Sequence, residues 1–405
     1  MKVSRYALTL LLLVAGSMTG TARPAFFDPG CLYAVPGVEC RVYYAKIFDS
    51  FTPQAYLLEA RSKVGRSLKG CWSFTPTEQD AGRSYEVVFN AWNDADGLVN
   101  AMTTTVVVAK LPAEANRTRD ITLALLAASD TNCGYQDRLR ERMHEYGYKG
   151  YTPVGSHGGG SSSKVGEPTD KALHDGYGGF SWGSFLTRYA LTVEEIDNVQ
   201  AEAEREQLKR LGEPVPPGQE WRKNLLKSPL LRLKDGKPTL DVQSWFDRIN
   251  GGRAPDYIVI VLGGNGVFAQ RPDVNPDVVG NELANARKLV AALRAAAPSA
   301  VIAIGSSMGG SLDQDSWGRN YGALQSCHLA NRAWLAYDRA MKEFCEASGD
   351  DRVVFVPFTF GVDPVGGYDT GLKFGNALHA NPVGGRQMGD GLFSWLANDL
   401  DGRSL

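Results

Sequence analysis

The sequence predicts an α/β protein: a three-layer α/β domain built on a mostly parallel sheet, preceded by a small all-β sandwich. Three observations predict it. Short continuous apolar runs (Ile121 to Leu126, Tyr257 to Leu262, Val301 to Ile304, Val353 to Val356) recur in the second part of the chain, as parallel strands buried on both faces require. Patterns of helical period lie between them. Before about residue 115 the chain instead shows short β-branched and aromatic runs broken by turn residues, and 405 residues with 43% apolar content can fill two cores.

In order along the chain, residues 1–22 carry Lys2 and Arg5, an apolar run from Ala7 to Ala15, and small residues ending Gly20-Thr21-Ala22. That is the layout of a cleaved signal peptide, too short to span a membrane, so a secreted or periplasmic protein is expected. Residues 23–115 contain the strand-like runs Cys40 to Tyr44, Ser84 to Trp92 and Met102 to Ala109, with Asn93 to Gly97 as a turn between the last two. Tyr85, Val87 and Phe89 alternate with polar or small neighbours. Thr75 to Tyr85 looks like the approach to an immunoglobulin-type strand, and the region reads as an accessory immunoglobulin-like β-sandwich. Trp72 and Trp92 read as core aromatics, with carbohydrate binding as the alternative.

Residues 116–405 form the α/β domain. Leu139, Met143 and Tyr146 mark a helix after the first strand, and Leu283, Ala286, Val290, Leu293 and Ala297 mark another. An insertion at about 187–250 interrupts the alternation with a charged helical stretch, Val193 to Leu211, then Pro214-Val215-Pro216-Pro217 and a mixed segment; it reads as solvated, with a substrate-shaping lid as the alternative. Gly158 to Ser163 reads as a flexible surface loop.

The 43 basic and 45 acidic residues nearly cancel, which leaves no electrostatic footprint for nucleic acid or an anionic membrane. No stretch after the signal reaches the roughly 18 apolar residues of a membrane span. A neutral or mildly charged substrate fits this balance. In an exported chain, Cys31, Cys40, Cys71, Cys133, Cys327 and Cys345 allow disulfides; Cys31 with Cys40 and Cys327 with Cys345 are the local candidates, and the pairing stays open. There is no Cys-x-x-Cys pair, and the five histidines lack metal-ligand spacing. Neither a metal nor a cofactor is expected, and nothing in the sequence reads out an oligomeric state.

Two incompatible arrangements of a nucleophilic serine can be drawn. In one, Gly305-Ser306-Ser307-Met308-Gly309 follows a strand as a nucleophile elbow, His157-Gly158-Gly159-Gly160 imitates an oxyanion loop, and Asp363 and His379 complete an α/β-hydrolase triad around Ser307. Against it, residues 309–316 read as a loop where a helix is required, and His157 follows no clear strand. In the other, four segments stand in order: Ala127-Ala128-Ser129-Asp130-Thr131, Gly178-Gly179-Phe180-Ser181-Trp182, Leu262-Gly263-Gly264-Asn265-Gly266 and Asn376-Ala377-Leu378-His379. Ser129 and Asn265 each follow a strand, and ligands of parallel sheets bind beyond the strands' carboxyl ends. A serine, two oxyanion donors and a late histidine are the parts of acyl transfer.

On these four segments, Ile121 to Leu400 resembles the SGNH, or GDSL, hydrolase superfamily. The resemblance implies a three-layer α/β/α, flavodoxin-like domain in which Ser129 is the nucleophile and His379 its base. It also implies an oxyanion hole from the Ser129 and Gly179 N–H groups and the Asn265 amide. The closing segment, Asn381 to Asp390, has the same look. Three positions depart from the pattern: Ala128 and Gly266 replace aspartates, and Asn376 stands where the triad acid is usual. An asparagine orients an imidazole without adding charge. A backbone carbonyl, Asp363 or Asp369 could serve instead. The expectation is an exported serine esterase that removes small acyl groups, acetyl foremost, from a small ester or an acylated carbohydrate. A non-catalytic carbohydrate-binding protein on the same scaffold is the alternative.

Overall fold

In a computed structural model describing residues 24–50, 52–112, 117–161, 163, 165–188, 228–235, 237–268, 277–321, 326–370 and 376–402, the four apolar runs are strands of one sheet. Residues 1–22, read above as a signal peptide, and Val193 to Leu211 and Pro214 to Pro217 lie outside the described residues. The sheet's parallel strands are β1 (Ile121–Ala127), β2 (Tyr151–Val154), β3 (Leu173–Gly176), β4 (Tyr257–Val261), β5 (Val301–Gly305) and β6 (Val353–Val356). β1 pairs with β2 along its first residues, with β3 at its last two, and with β4 on its other side. β4 then pairs with β5 and β5 with β6. The chain thus leaves β1 toward one edge and builds the other edge from β4 onward. The loops after β1 and β4 diverge at this reversal, which opens a crevice at the strands' carboxyl ends.

The helices are α1 (Tyr135–Glu145), α2 (Trp182–Thr187), α3 (Val242–Asn250), α4 (Gly264–Phe268), α5 (Val278–Ala296), α6 (Gln314–Tyr321), α7 (Cys327–Ala347) and α8 (Pro382–Gly402). Successive strand residues point to opposite faces. Leu123, Leu125, Val259 and Val261 therefore pack with Leu139, Met143, Leu392 and Phe393 of α1 and α8. Ala124, Leu126, Ile258 and Ile260 pack with Trp245, Leu289, Leu293 and Trp334 of α3, α5 and α7. Burial on both faces explains why these strands read as unbroken apolar runs.

Before residue 113, two sheets share one core. Cys31–Ala34, Gly97–Val108, Ser84–Asn93 and Leu57–Ser62 form the first, and Cys40–Tyr43, Cys71–Phe74 and Arg66–Ser67 the second. Leu32, Val42, Trp72, Phe89 and Val106 fill the space between them, joined by Leu335 and Phe360 from beyond residue 300. The Tyr43 N–H donates to the Phe360 carbonyl at 3.0 Å, which ties the second sheet to the α/β part. Trp72 is buried and donates to the Val64 carbonyl, whereas Trp92 is half-buried and donates to Glu59.

Three expectations change. All six cysteines are free thiols. Cys327 and Cys345 stand in one straight helix, eighteen residues and so roughly 27 Å apart, far beyond disulfide reach; Cys31 and Cys40 lie in different sheets. The Gly158 to Ser163 segment is pinned where it is described: the Gly159 carbonyl accepts from Gln136 and bonds His174, and the Ser161 N–H donates to Asn132. Within the stretch read as an insertion, α3 supplies Trp245 and Phe246 to the core, and Trp245 donates to buried Asp175 at 2.9 Å.

Candidate active site

β1 ends at Ala127, and the chain turns into a 3-10 helix, Ser129–Cys133. Buried Asp130 fastens the turn: its carboxylate accepts from the Ala128 N–H at 2.9 Å and from the Tyr135 hydroxyl at 2.7 Å. Burial raises Asp130 to about 6, against those two hydrogen bonds. Ser129 caps no helix, since the residue preceding α1 is Gly134. Its hydroxyl is left free to face the crevice.

His379 comes from the strand Asn376–Ala380 and brings Nε2 to 2.7 Å from Ser129 Oγ. Backbone bonds hold that strand in place. The Ser311 N–H donates to the Ala377 carbonyl at 2.8 Å, and the Ala377 N–H donates to Asn320 at 2.9 Å. Behind it, α8 presses on the serine's turn. A Cβ at Gly385 would lie 1.9 Å from the Cys133 carbonyl oxygen, and one at Gly389 would lie 2.5 Å from Arg138. Asp390 receives Arg138 and Arg142, each at 2.7 Å. The glycines of the closing segment thus permit the approach that sets the serine–histidine distance. Burial lowers the His379 pKa from its ordinary 6.5, so the imidazole is neutral near pH 7 and able to take a proton.

What orients the other ring nitrogen is open to Asn376 only by position. Its backbone pairs with Asp369 in the strand, and its side chain lies outside the described residues. Asp363 is engaged elsewhere, accepting the Val365 and Gly366 N–H groups within its own turn.

After β4, Gly263 takes a left-handed φ of 94°, and a Cβ there would lie 2.2 Å from the Tyr337 ring. Only glycine fits. The Tyr337 hydroxyl donates to the Leu262 carbonyl at 2.8 Å and accepts from the Trp182 indole at 2.7 Å. Asn265 Nδ2 donates to the Phe180 carbonyl at 2.9 Å. One amide hydrogen is used there and one remains. Gly179, next to Phe180, is exposed at a φ of 73° in the turn after β3; it stands at the same sheet edge but does not line the cavity that Ser129, Asn265 and His379 share. At Gly266 a Cβ would come within 2.4 Å of the Glu282 carboxylate, so Glu282 fills the space a side chain there would need. Burial raises Glu282 to about 7.

The shared cavity is small, about 50 Å³, and Ser307, Met308 and Trp334 also line it. Ser307 is not set up as a nucleophile. Its N–H and hydroxyl both bond Asp338, at 2.8 and 3.1 Å, and the loop after β5 runs on to α6 without an immediate helix. His157 is buried against His174 and Tyr177, away from this loop. Asp130, Tyr337, Asp338 and Glu282 escaped the sequence reading. Asp130 adjoins the serine and was visible there; the other three sit in helices whose local pattern carries no signal beyond burial.

No protein-family model matches the chain, and no curated protein does. Among solved structures, the chain is similar to a carbohydrate esterase family 3 from Talaromyces cellulolyticus, at 14% identity and a TM-score of 0.41, over 70% of this chain and 100% of that one. It is similar to a carbohydrate esterase family 2 enzyme plus carbohydrate binding domain from Corynascus thermopiles, at 14% identity and a TM-score of 0.38, over 91% of this chain and 92% of that one. An acetyl xylan esterase from the rumen bacterium Butyrivibrio proteoclasticus follows, at 14% identity and 0.33, over 93% of this chain and 92% of that one.

Proposed function

We propose that the chain is an exported serine esterase of the SGNH type, with that family's three-layer domain behind an N-terminal β-sandwich, and that it removes acetyl groups from a carbohydrate. The observation that carries the reading is the 2.7 Å hydrogen bond between Ser129 Oγ and His379 Nε2, both of which line a cavity with Asn265. Ser129 Oγ attacks the ester carbonyl while His379 takes its proton. The carbonyl oxygen becomes an oxyanion, which the free Asn265 amide hydrogen and the Ser129 N–H stabilise; Gly179, outside the cavity, is not required for this step. His379 then returns the proton to the departing alkoxide as the carbon–oxygen bond breaks. Water repeats the sequence on the acyl-serine and releases the acid.

Cavity size supports a short acyl group. An apolar cavity of about 150 Å³ admits benzene, and this one is about 50 Å³. The near-neutral charge supports an uncharged polyol as the alcohol part. Incubation with a fluorophosphonate, followed by peptide mapping, tests activity and nucleophile together. Modification of Ser129 and hydrolysis of p-nitrophenyl acetate are expected; an unmodified Ser129 in folded protein would overturn the reading.

A further inference from the structure

Lys46 belongs to the N-terminal sheets by sequence, yet its ammonium is buried in the α/β part. Only 6% of the residue is exposed. Nζ donates to the Met308 carbonyl at 3.4 Å, the Gly310 carbonyl at 3.2 Å and the Tyr368 hydroxyl at 2.9 Å, and it lies 5.0 Å from the Tyr368 ring centre. Tyr368 in turn donates to the Met308 carbonyl at 2.6 Å. The loop wraps closely round the ammonium: a Cβ at Gly309 would stand 2.6 Å from Nζ.

Ser307, Met308 and Gly309 of this loop line the cavity that holds Ser129 and His379. In a trans peptide the carbonyl and the following N–H point in opposite directions. With the Gly310 carbonyl drawn to Lys46, the Ser311 N–H points the other way, and it donates to the Ala377 carbonyl in the strand that carries His379. With the Met308 carbonyl drawn to Lys46 and Tyr368, the Gly309 N–H likewise turns from the ammonium. On the loop's other flank, Asp338 holds the Ser307 N–H and hydroxyl.

We infer that Lys46 is a positioning residue for the acyl pocket: through the Met308 and Gly310 carbonyls and Tyr368, the N-terminal region sets the wall against which acyl length is measured. The N-terminal region is then part of the catalytic centre rather than an appended module. The inference rests on the esterase reading. Burial lowers the Lys46 pKa to about 7, against the nearby Asp338 and Asp363 carboxyl groups, which raise it.

The test compares p-nitrophenyl acetate with p-nitrophenyl butyrate, with rates expressed per site labelled by a fluorophosphonate so that unfolded molecules are not counted. A pocket wall that rejects extra methylenes discriminates by tenfold or more for each, so Lys46→Met is expected to lower the acetate-to-butyrate ratio of kcat/KM by at least about fivefold. Tyr368→Phe keeps its ring and loses the hydroxyl's bonds to Lys46 and the Met308 carbonyl; its ratio should move the same way by about twofold, and it decides the matter if the lysine variant does not fold. A merely structural lysine would lower the melting temperature and the number of labelled sites while leaving the ratio untouched. Wild-type ratios in the folded variants would overturn the inference. A wild-type protein that neither labels nor hydrolyses either ester would overturn the esterase reading and this inference with it.

Discussion

Two serines follow parallel strands and line the same cavity, and they have opposite surroundings. Ser129, after β1, meets a histidine; Ser307, after β5, meets a carboxyl group with both its N–H and its hydroxyl. Ser307 sits in the better local motif, Gly-Ser-Ser-Met-Gly, and Ser129 in the weaker one. The difference teaches that a nucleophile is made by the partner that the fold delivers to it. Asp338 consumes the Ser307 hydroxyl and makes it a structural tie for the pocket wall. On the proposed reading, a neutral imidazole beside Ser129 would make that hydroxyl a base-assisted nucleophile.

The widest way to break this contrast is to delete each hydroxyl. Ser129→Ala should lower kcat for p-nitrophenyl acetate by roughly 10⁴-fold or more. An active Ser129→Ala enzyme would reverse the assignment of the two serines. Asn265→Ala, which removes one oxyanion donor and the tie to Phe180, should cost roughly 10²- to 10³-fold in kcat, with the acetate KM changed far less.

The pH profile sharpens the contrast next. His379 must be neutral to accept a proton, and burial holds its pKa below 6.5. The kcat/KM should therefore rise about tenfold per pH unit on the acid side, with the midpoint of the rise below pH 6.5. A rise centred near pH 8 would point instead to Asp338, which burial pushes up to about 8.

Smaller effects are expected around Ser307. Ser307→Ala removes one bond to the buried Asp338 and should cost about 1–3 kcal/mol in stability by urea unfolding, with turnover reduced by less than about tenfold. The smallest is Asp338→Asn. The carboxyl group has a higher pKa folded than its ordinary 3.8, so the native state holds a proton that the unfolded state releases; this favours folding at low pH and is lost as the pH rises from about 4 to about 8. The asparagine variant lacks this loss, and its melting temperature relative to wild type should be higher at pH 8 than at pH 5. An equal difference at both pH values would break the account.

The strands were legible because burial on both faces leaves nothing but apolar residues in them, and the helices because their apolar positions recur at three and four. The ends of β1 and β4 located Ser129 and Asn265 for the same reason. The stretch from 187 to 250 was less legible: Trp245 and Phe246 sit in a short helix between polar Ser244 and Asp247-Arg248, and their burial depends on Asp175 and the face of the sheet. The cysteines misled because adjacency in sequence says little about distance once a helix separates two residues by its full length.

By itself the sequence determined the alternation of strand and helix, the edge of the sheet where polar residues could gather, and the order of the four segments. Those are consequences of local period and of which side chains water rejects. Only the tertiary structure decided which serine meets His379, that Asp338 captures the other, and that Lys46 reaches from the first sheets to the pocket wall. Each joins residues far apart in the chain. Such contacts are selected by packing and by the cost of leaving a buried polar group unpaired, and neither is written in any one stretch of sequence.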